Sequence, residues 1–224
     1  SVQSMFQNEP VLDDFLDMLR SVKLSLEDEA TPLVFVMASR GAGKTTFALK
    51  LATLNFPSVF TVFTGELIYE WQIKSIEPMH APFTALSVQL QKVAVKTFKE
   101  LVADFRSEPK WKIYSKMSIG CMSKRTLVPI GLVGFIVSMF EKLVEAKRAM
   151  PHLTWAEVQC ELGRIECPYM TIEEGRKRIA KLQANYEQPL IMTFDKVEIC
   201  GLEKVFIMTF SILRLLGIVP IIFA

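Results

Sequence analysis

Between Leu33 and Thr46 the chain reads LVFVMASRGAGKTT, and no other stretch restricts the possible folds as much. Leu33, Val34, Phe35, Val36 and Met37 form an unbroken apolar run rich in β-branched and aromatic types, the pattern of a buried strand. Residues 38–43 then turn the chain, and a helical pattern follows from Thr45 to Leu54. Gly41 and Gly43 allow backbone N–H groups to curl around an anion, and Gly43 can take positive φ at little cost. The unpaired N–H groups of the following helix face the same point. Strand, glycine turn and helix in this order open a βα unit.

Residues 38–45, ASRGAGKT, match the pattern G-x-x-x-x-G-K-[ST] except that Ala38 stands at the first glycine position. The segment resembles the Walker A loop of the P-loop NTPases. The resemblance implies ATP and Mg²⁺ as ligands, with Ser39, Arg40, Gly41, Ala42, Gly43, Lys44, Thr45 and Thr46 around the phosphates. Lys44 would reach the β- and γ-phosphates, the Thr45 hydroxyl would coordinate Mg²⁺, and Thr46 would add a hydroxyl toward the α-phosphate. Arg40 either touches phosphate or faces solvent, and solvent is the expectation. The plain alternative is a lysine-bearing glycine turn in front of an ordinary helix.

Composition narrows the class. Half of the 224 residues are apolar and 22% are charged, so the chain is globular rather than disordered. A length of 224 residues suits one large α/β domain, or one domain with a big insertion. A net charge of +2 argues for neither nucleic acid nor an anionic membrane as a partner, and nucleic acid stays an open question. Cys121, Cys160, Cys167 and Cys200 form no C-x-x-C pair, which fits reduced thiols in an intracellular protein, in cytoplasm or nucleus. The two histidines, His80 and His152, lie far apart, against a zinc site. No signal peptide is visible at the start.

Ahead of the loop, Asn8 to Leu24 predicts an amphipathic helix with Val11, Phe15, Met18 and Leu19 on one side, and Glu27-Asp28-Glu29 an acidic connector. Beyond it, Val59 to Thr64 predicts a second strand, closed by Gly65. From Glu66 to Gln188 only helical patterns stand out: Phe83 to Phe105, a buried helix from Leu127 to Phe140 interrupted by Pro129, Gly131 and Gly134, then Thr154 to Leu162 and Thr171 to Tyr186. Trp111 to Met122 is ambiguous. Thr171 with Glu174 matches a capping box. The basic cluster Arg176, Lys177, Arg178 and Lys181 predicts a solvated helix face, with a phosphate or nucleic-acid contact as the alternative.

Pro189 to Asp195, PLIMTFD, is an apolar strand ending in an aspartate. Gly201 to Leu216 predicts a helix with Leu202, Phe206, Leu213 and Leu216 inward, ended by Gly217, and Ile218 to Ala224 another buried strand. The apolar run from Val205 to Ala224 has the length of a membrane span. Arg214 at its centre would cost about 2.5–3.5 kcal/mol on insertion scales, and Gly217 and Pro220 break the run, so helix then strand is expected and no membrane span.

The aspartate-terminated strand resembles a Walker B segment, which implies Asp195 as a second Mg²⁺ ligand beside Thr45. The expected fold is therefore α/β: a parallel sheet of P-loop NTPase type with helices on both faces and a long helical insertion. The expected parts are an N-terminal helix and connector (1–30), the phosphate-loop unit (31–65), the insertion (66–188) and the Walker B strand, helix and last strand (189–224), in one domain. Missing D-x-x-G and N-K-x-D patterns disfavour a GTPase. An extra strand between loop and aspartate is similar to the additional-strand, catalytic-glutamate division with its AAA+-like and STAND-like ATPases. That resemblance implies the sheet order 5-1-4-3-2. A weaker similarity, carried by the long helical segment after the phosphate loop, F-D-x-x, the run Leu213-Arg214-Leu215-Leu216 and the closing G-x-x-P-I-F-like strand, is to the ATPase region of crinkler-type effectors.

Two positions depart from the division. Lys196 follows Asp195 where a water-orienting glutamate is usual, which leaves Glu198 as the candidate catalytic carboxylate beside Lys44 and Asp195. The sequence also stops where a sensor residue, an arginine finger and a fifth strand would follow, so a C-terminally incomplete domain is expected. The expectation is an ATP-binding module with Mg²⁺-dependent hydrolysis, weak or needing supplied parts. Alternatives are a nucleotide-gated switch or scaffold without hydrolysis, a phosphotransferase using the insertion as a lid, and an inactive partial chain whose exposed sheet edge favours aggregation or self-association.

Overall fold

The computed structural model describes residues 10–21, 30–37, 44, 47–48, 51, 57–62, 93, 96, 100, 130–163, 165–166, 168–186, 188–195 and 203–223. Helix α1 (Pro10–Ser21) leads to strands β1 (Val34–Val36) and β2 (Ser58–Val62). Helices α2 (Ile130–Ala149), α3 (Trp155–Glu161) and α4 (Ile172–Gln183) follow, then β3 (Ile191–Asp195), α5 (Glu203–Leu216) and β4 (Val219–Phe223). Residues 44, 47, 48 and 51 are helical, as are 93, 96 and 100.

All described strand pairs are parallel, in the order β1-β4-β3-β2. This is the part of the order 5-1-4-3-2 that four strands can occupy. Every residue of β3 and β4 is buried, as expected for central strands covered on both faces. The pleat separates two layers. Met192 and Phe194, in register with Val59 and Thr61, face a core built from Val133, Phe135, Ile136, Phe140, Met208, Ile212, Leu213 and their neighbours on α2 to α5. The opposite face carries Ile191, Thr193 and Asp195.

Helix α2 bears out the expected buried helix and corrects its end. Gly131 and Gly134 lie within the helix rather than interrupting it, and it runs on from Phe140 to Ala149. The apolar-all-round pattern ends at Phe140, but Glu141 to Ala149 is rich in strong helix formers and continues the same turns with a one-sided apolar stripe. Gly134 serves packing: a Cβ there would meet the Pro168 carbonyl oxygen at 1.6 Å.

Helix ends follow local chemistry. Pro10 opens α1, where its missing N–H leaves no bond unmade. Met18, expected on the apolar side of α1, is 41% exposed, whereas Leu19 is fully buried. At α3 the Thr154 hydroxyl accepts from the Glu157 N–H while the Glu157 carboxylate accepts from the Thr154 N–H, a complete capping box. At α4 only the Thr171 half of the expected box is present, its hydroxyl accepting from the Glu174 N–H at 3.2 Å. Gly217 closes α5 at φ +86°. Its N–H donates to Arg214 and that of Ile218 to Leu213, a Schellman pair that turns the chain directly into β4.

Side-chain clasps tie the strands to their surroundings. Arg214 Nε donates to the Thr31 carbonyl at 2.6 Å, while Thr31 Oγ1 donates to Ile218 at 2.7 Å, locking the entry of β1 beside β4. The Gln183 amide bridges Gln188 and Leu190 at the entry of β3. On β2, Gln159 of α3 accepts from the Phe60 N–H and donates to the Phe60 carbonyl, both at 2.8 Å. The amide thus mimics a neighbouring strand on the side of β2 away from β3. Lys147 Nζ donates to the carbonyls of Pro151 and Leu153 and stands 5.8 Å from the Trp155 ring centroid. Desolvation lowers its pKa, with Glu157 pulling the other way. Among the described residues no helix is long and apolar enough to cross a membrane.

Candidate functional site

The four strands end on a common line. Val36 of β1 lies opposite Phe223 of β4, Phe223 opposite Asp195 of β3, and Asp195 opposite Val62 of β2. With a spacing of about 4.8 Å between strands, the backbones at Val36 and Asp195 are about 10 Å apart across β4. This line is the carboxyl edge of a parallel sheet, where ligands of open α/β folds collect.

Registered neighbours also share a face. Phe223 and Asp195 therefore lie on the same side of the sheet, and the Phe47 ring packs edge-on against Phe223 at 6.0 Å. The helical segment that carries Lys44 thus covers the Asp195 face. Lys44, Phe47, Ala48 and Leu51 have the i, i+3, i+4, i+7 spacing of one helix side, and Ala48 and Leu51 are fully buried. Half-buried Lys44 is the first described residue of this stripe, three positions before Phe47. Asp195 is only 2% exposed. A buried carboxylate at that edge supplies hard oxygen donors of the kind Mg²⁺ prefers, and the segment carrying Lys44 packs over the same face.

Of the residues expected from sequence, Asp195 lies at the carboxyl edge and Lys44 lies on the helical segment that packs over the same face. Ser39, Arg40, Gly41, Ala42, Gly43, Thr45, Thr46 and Glu198 lie outside the described residues. The aromatic chain behind Lys44 is not readable from motif spacing. Phe15 of α1 meets Phe47 edge-on at 5.4 Å, and Phe47 meets Phe223. The only sequence signal was the apolar side of α1, which includes Phe15.

Two members of the basic cluster on α4, Lys177 and Arg178, form ion pairs. Arg178 makes a bidentate contact to Glu141 of α2, Nε to Oε1 at 2.7 Å and Nη2 to Oε2 at 2.6 Å, and the hydrogen bond raises its pKa. Lys177 pairs with Glu173 at 3.0 Å on the exposed side. A cleft of about 480 Å³ beside the Arg178–Glu141 pair is lined by Ser138, Lys142, Glu145 and Glu166. It belongs to the α2–α4 layer on the other face of the sheet. Among the described residues no three His, Cys, Asp or Glu side chains come together as a metal-binding set. Burial, with Glu161 and Glu157 nearby, pushes the Cys160 thiol up to about 12, far from a reactive thiolate.

Comparison with protein-family models, with curated proteins and with solved structures returned no match.

Proposed function

We propose that the chain is an ATP-binding module of P-loop type that uses Mg²⁺ and hydrolyses ATP slowly or with parts supplied by another segment or chain. The observation that supports this most is that buried Asp195 at the carboxyl edge and the helical segment carrying Lys44, far apart in sequence, lie on one face of the sheet. The order of the four strands supports it as well. In this reading the amides of residues 41–45 cradle the β- and γ-phosphates and Lys44 neutralises their charge. Thr45 and Asp195 would hold Mg²⁺, which supplies further positive charge at the phosphates. Hydrolysis joins a water oxygen to the γ-phosphorus, breaks its bond to the β,γ-bridging oxygen and releases a proton. Glu198 is the carboxylate placed in sequence to orient that water.

Lys196, at the usual place of the water-orienting glutamate, favours a second reading in which ATP binding orders the domain without turnover. Titration with Mg-ATP and Mg-GTP of the wild type, Lys44→Ala and Asp195→Asn tests the site. Micromolar ATP binding that weakens at least tenfold in Lys44→Ala is expected; no wild-type binding refutes the proposal. Turnover lost in Glu198→Gln favours hydrolysis, and turnover absent from the wild type favours the switch.

A further inference from the structure

Lys44 sits on a helical segment whose described ring contacts run both inward to the sheet and outward to α1. Phe47, three residues after Lys44 and on the same helix side, touches Phe223 beneath it at 6.0 Å and Phe15 of α1 beyond it at 5.4 Å. Both contacts are edge-on, at interplanar angles of 61° to Phe223 and 76° to Phe15. Phe223 is the register neighbour of Asp195. One continuous aromatic chain therefore joins α1, the Lys44 helix and the strand beside the buried carboxylate. Leu19, one turn on from Phe15 along α1, is fully buried and seats the helix. The outer side of α1 carries the exposed Asp13, Asp14 and Asp17, so its apolar side faces the domain.

We infer that Phe15 is a positioning residue for nucleotide binding, and that α1 is a latch whose seating is coupled to occupancy of the Lys44 site. The inference rests on the ATP-binding reading above. A helix can roll about its axis and keep generic apolar contact, but a ring held edge-on between two others fixes the roll. Fixing Phe47 fixes the direction of Lys44 and of the amides at the start of the same helix. Pre-ordering these groups removes part of the cost of arranging them around phosphates. By linkage, a site that binds more tightly when α1 is seated must seat α1 more firmly when it is filled.

The test uses the full chain, with Mg-ATP titrated calorimetrically into wild type, Phe15→Ala, Phe15→Leu, Phe15→Tyr and Lys44→Ala, and amide exchange followed in residues 10–21. Loss of one edge-on pair predicts Kd weaker by roughly two- to tenfold in Phe15→Ala. Phe15→Tyr, which keeps the ring, should restore the wild-type Kd, and Phe15→Leu should not. Mg-ATP should slow exchange in α1 of the wild type and leave it unchanged in Lys44→Ala. A purely structural role for Phe15 would lower stability but give the same Kd in every folded Phe15 variant and no ATP-dependent protection of α1. That result overturns the inference and leaves the ATP-binding reading standing. Absence of ATP binding to the wild type overturns both. Where Phe15→Ala does not fold, the Leu and Tyr variants decide the question.

Discussion

Gln159→Leu should be one of the more damaging conservative-sized changes in the molecule. The side chain is 2% exposed and makes two hydrogen bonds of 2.8 Å to the N–H and the carbonyl of Phe60, itself fully buried. Leucine fills much the same volume, so no large cavity contributes. What changes is that two backbone groups lose their partners where water does not reach. Each orphaned group costs about 1–3 kcal/mol, giving about 2–6 kcal/mol in total. In a domain of this size that corresponds to a fall in Tm of roughly 4–24 °C. Urea unfolding followed by far-UV circular dichroism should show the midpoint falling with an unchanged m-value. Gln159→Glu keeps an acceptor for the N–H but sets a carboxylate oxygen against the Phe60 carbonyl. That variant should be destabilised at neutral pH and recover as acid protonates the glutamate, because a raised folded-state pKa adds stability only as pH falls through it. A Gln159→Leu variant within about 0.5 kcal/mol of wild type would refute the argument that the amide substitutes for a strand.

Other changes test other contacts. Gly134→Ala drives a methyl into the Pro168 carbonyl, 1.6 Å from the ideal Cβ, and should cost at least about 1–3 kcal/mol by urea titration. Thr61→Val should be neutral or stabilising by up to about 1 kcal/mol, because the buried Thr61 hydroxyl has no hydrogen-bond partner among the described residues to lose. Cys160, with its pKa raised to about 12, should resist alkylation up to about pH 10 in the folded chain and react readily in urea, as peptide mass spectrometry would show. Stability should rise with pH just below 10.5 through Lys147, whose lowered folded-state pKa makes the native form release its proton first, and this rise should vanish in Lys147→Met.

Features legible in the sequence were those written in local pattern. Apolar runs predicted all four described strands, and Gly217 marked the end of α5 because a glycine followed by a new apolar run fits a left-handed C-cap. Arg214 was read correctly as an argument against a membrane span, but its bond to the Thr31 carbonyl was invisible, since the two residues are 183 apart in sequence. The Gln159 clasp is equally opaque: nothing local says that a glutamine on a short helix will complete a strand 99 residues earlier. Gly134 looked like an interruption because the helix pattern cannot show which segment will cross it closely. For the site, Lys44 and Asp195 were named from motif and strand end, but only the strand order implied by the family resemblance gave reason to expect them at one edge.

Register decides whether that edge can exist at all. Side chains alternate along β3, so a slip of one residue against β4 would exchange Asp195 with Phe194 between the two faces. Phe194 would leave the Phe210 ring it meets at 5.0 Å, and the carboxylate would enter the apolar layer of α2 to α5. An unpaired charge there is far costlier than a lost ring contact. The packing that builds the core on one face therefore also holds Asp195 on the other, in line with Phe223 and the helix of Lys44. Substitutions such as Phe135→Ala should then lower stability by about 3–5 kcal/mol through cavity formation in the α2 layer. Ligand affinity of the molecules that remain folded should stay unchanged, because the strand ends, the aromatic chain and the Lys44 helix lie on the side of the sheet that this mutation does not touch.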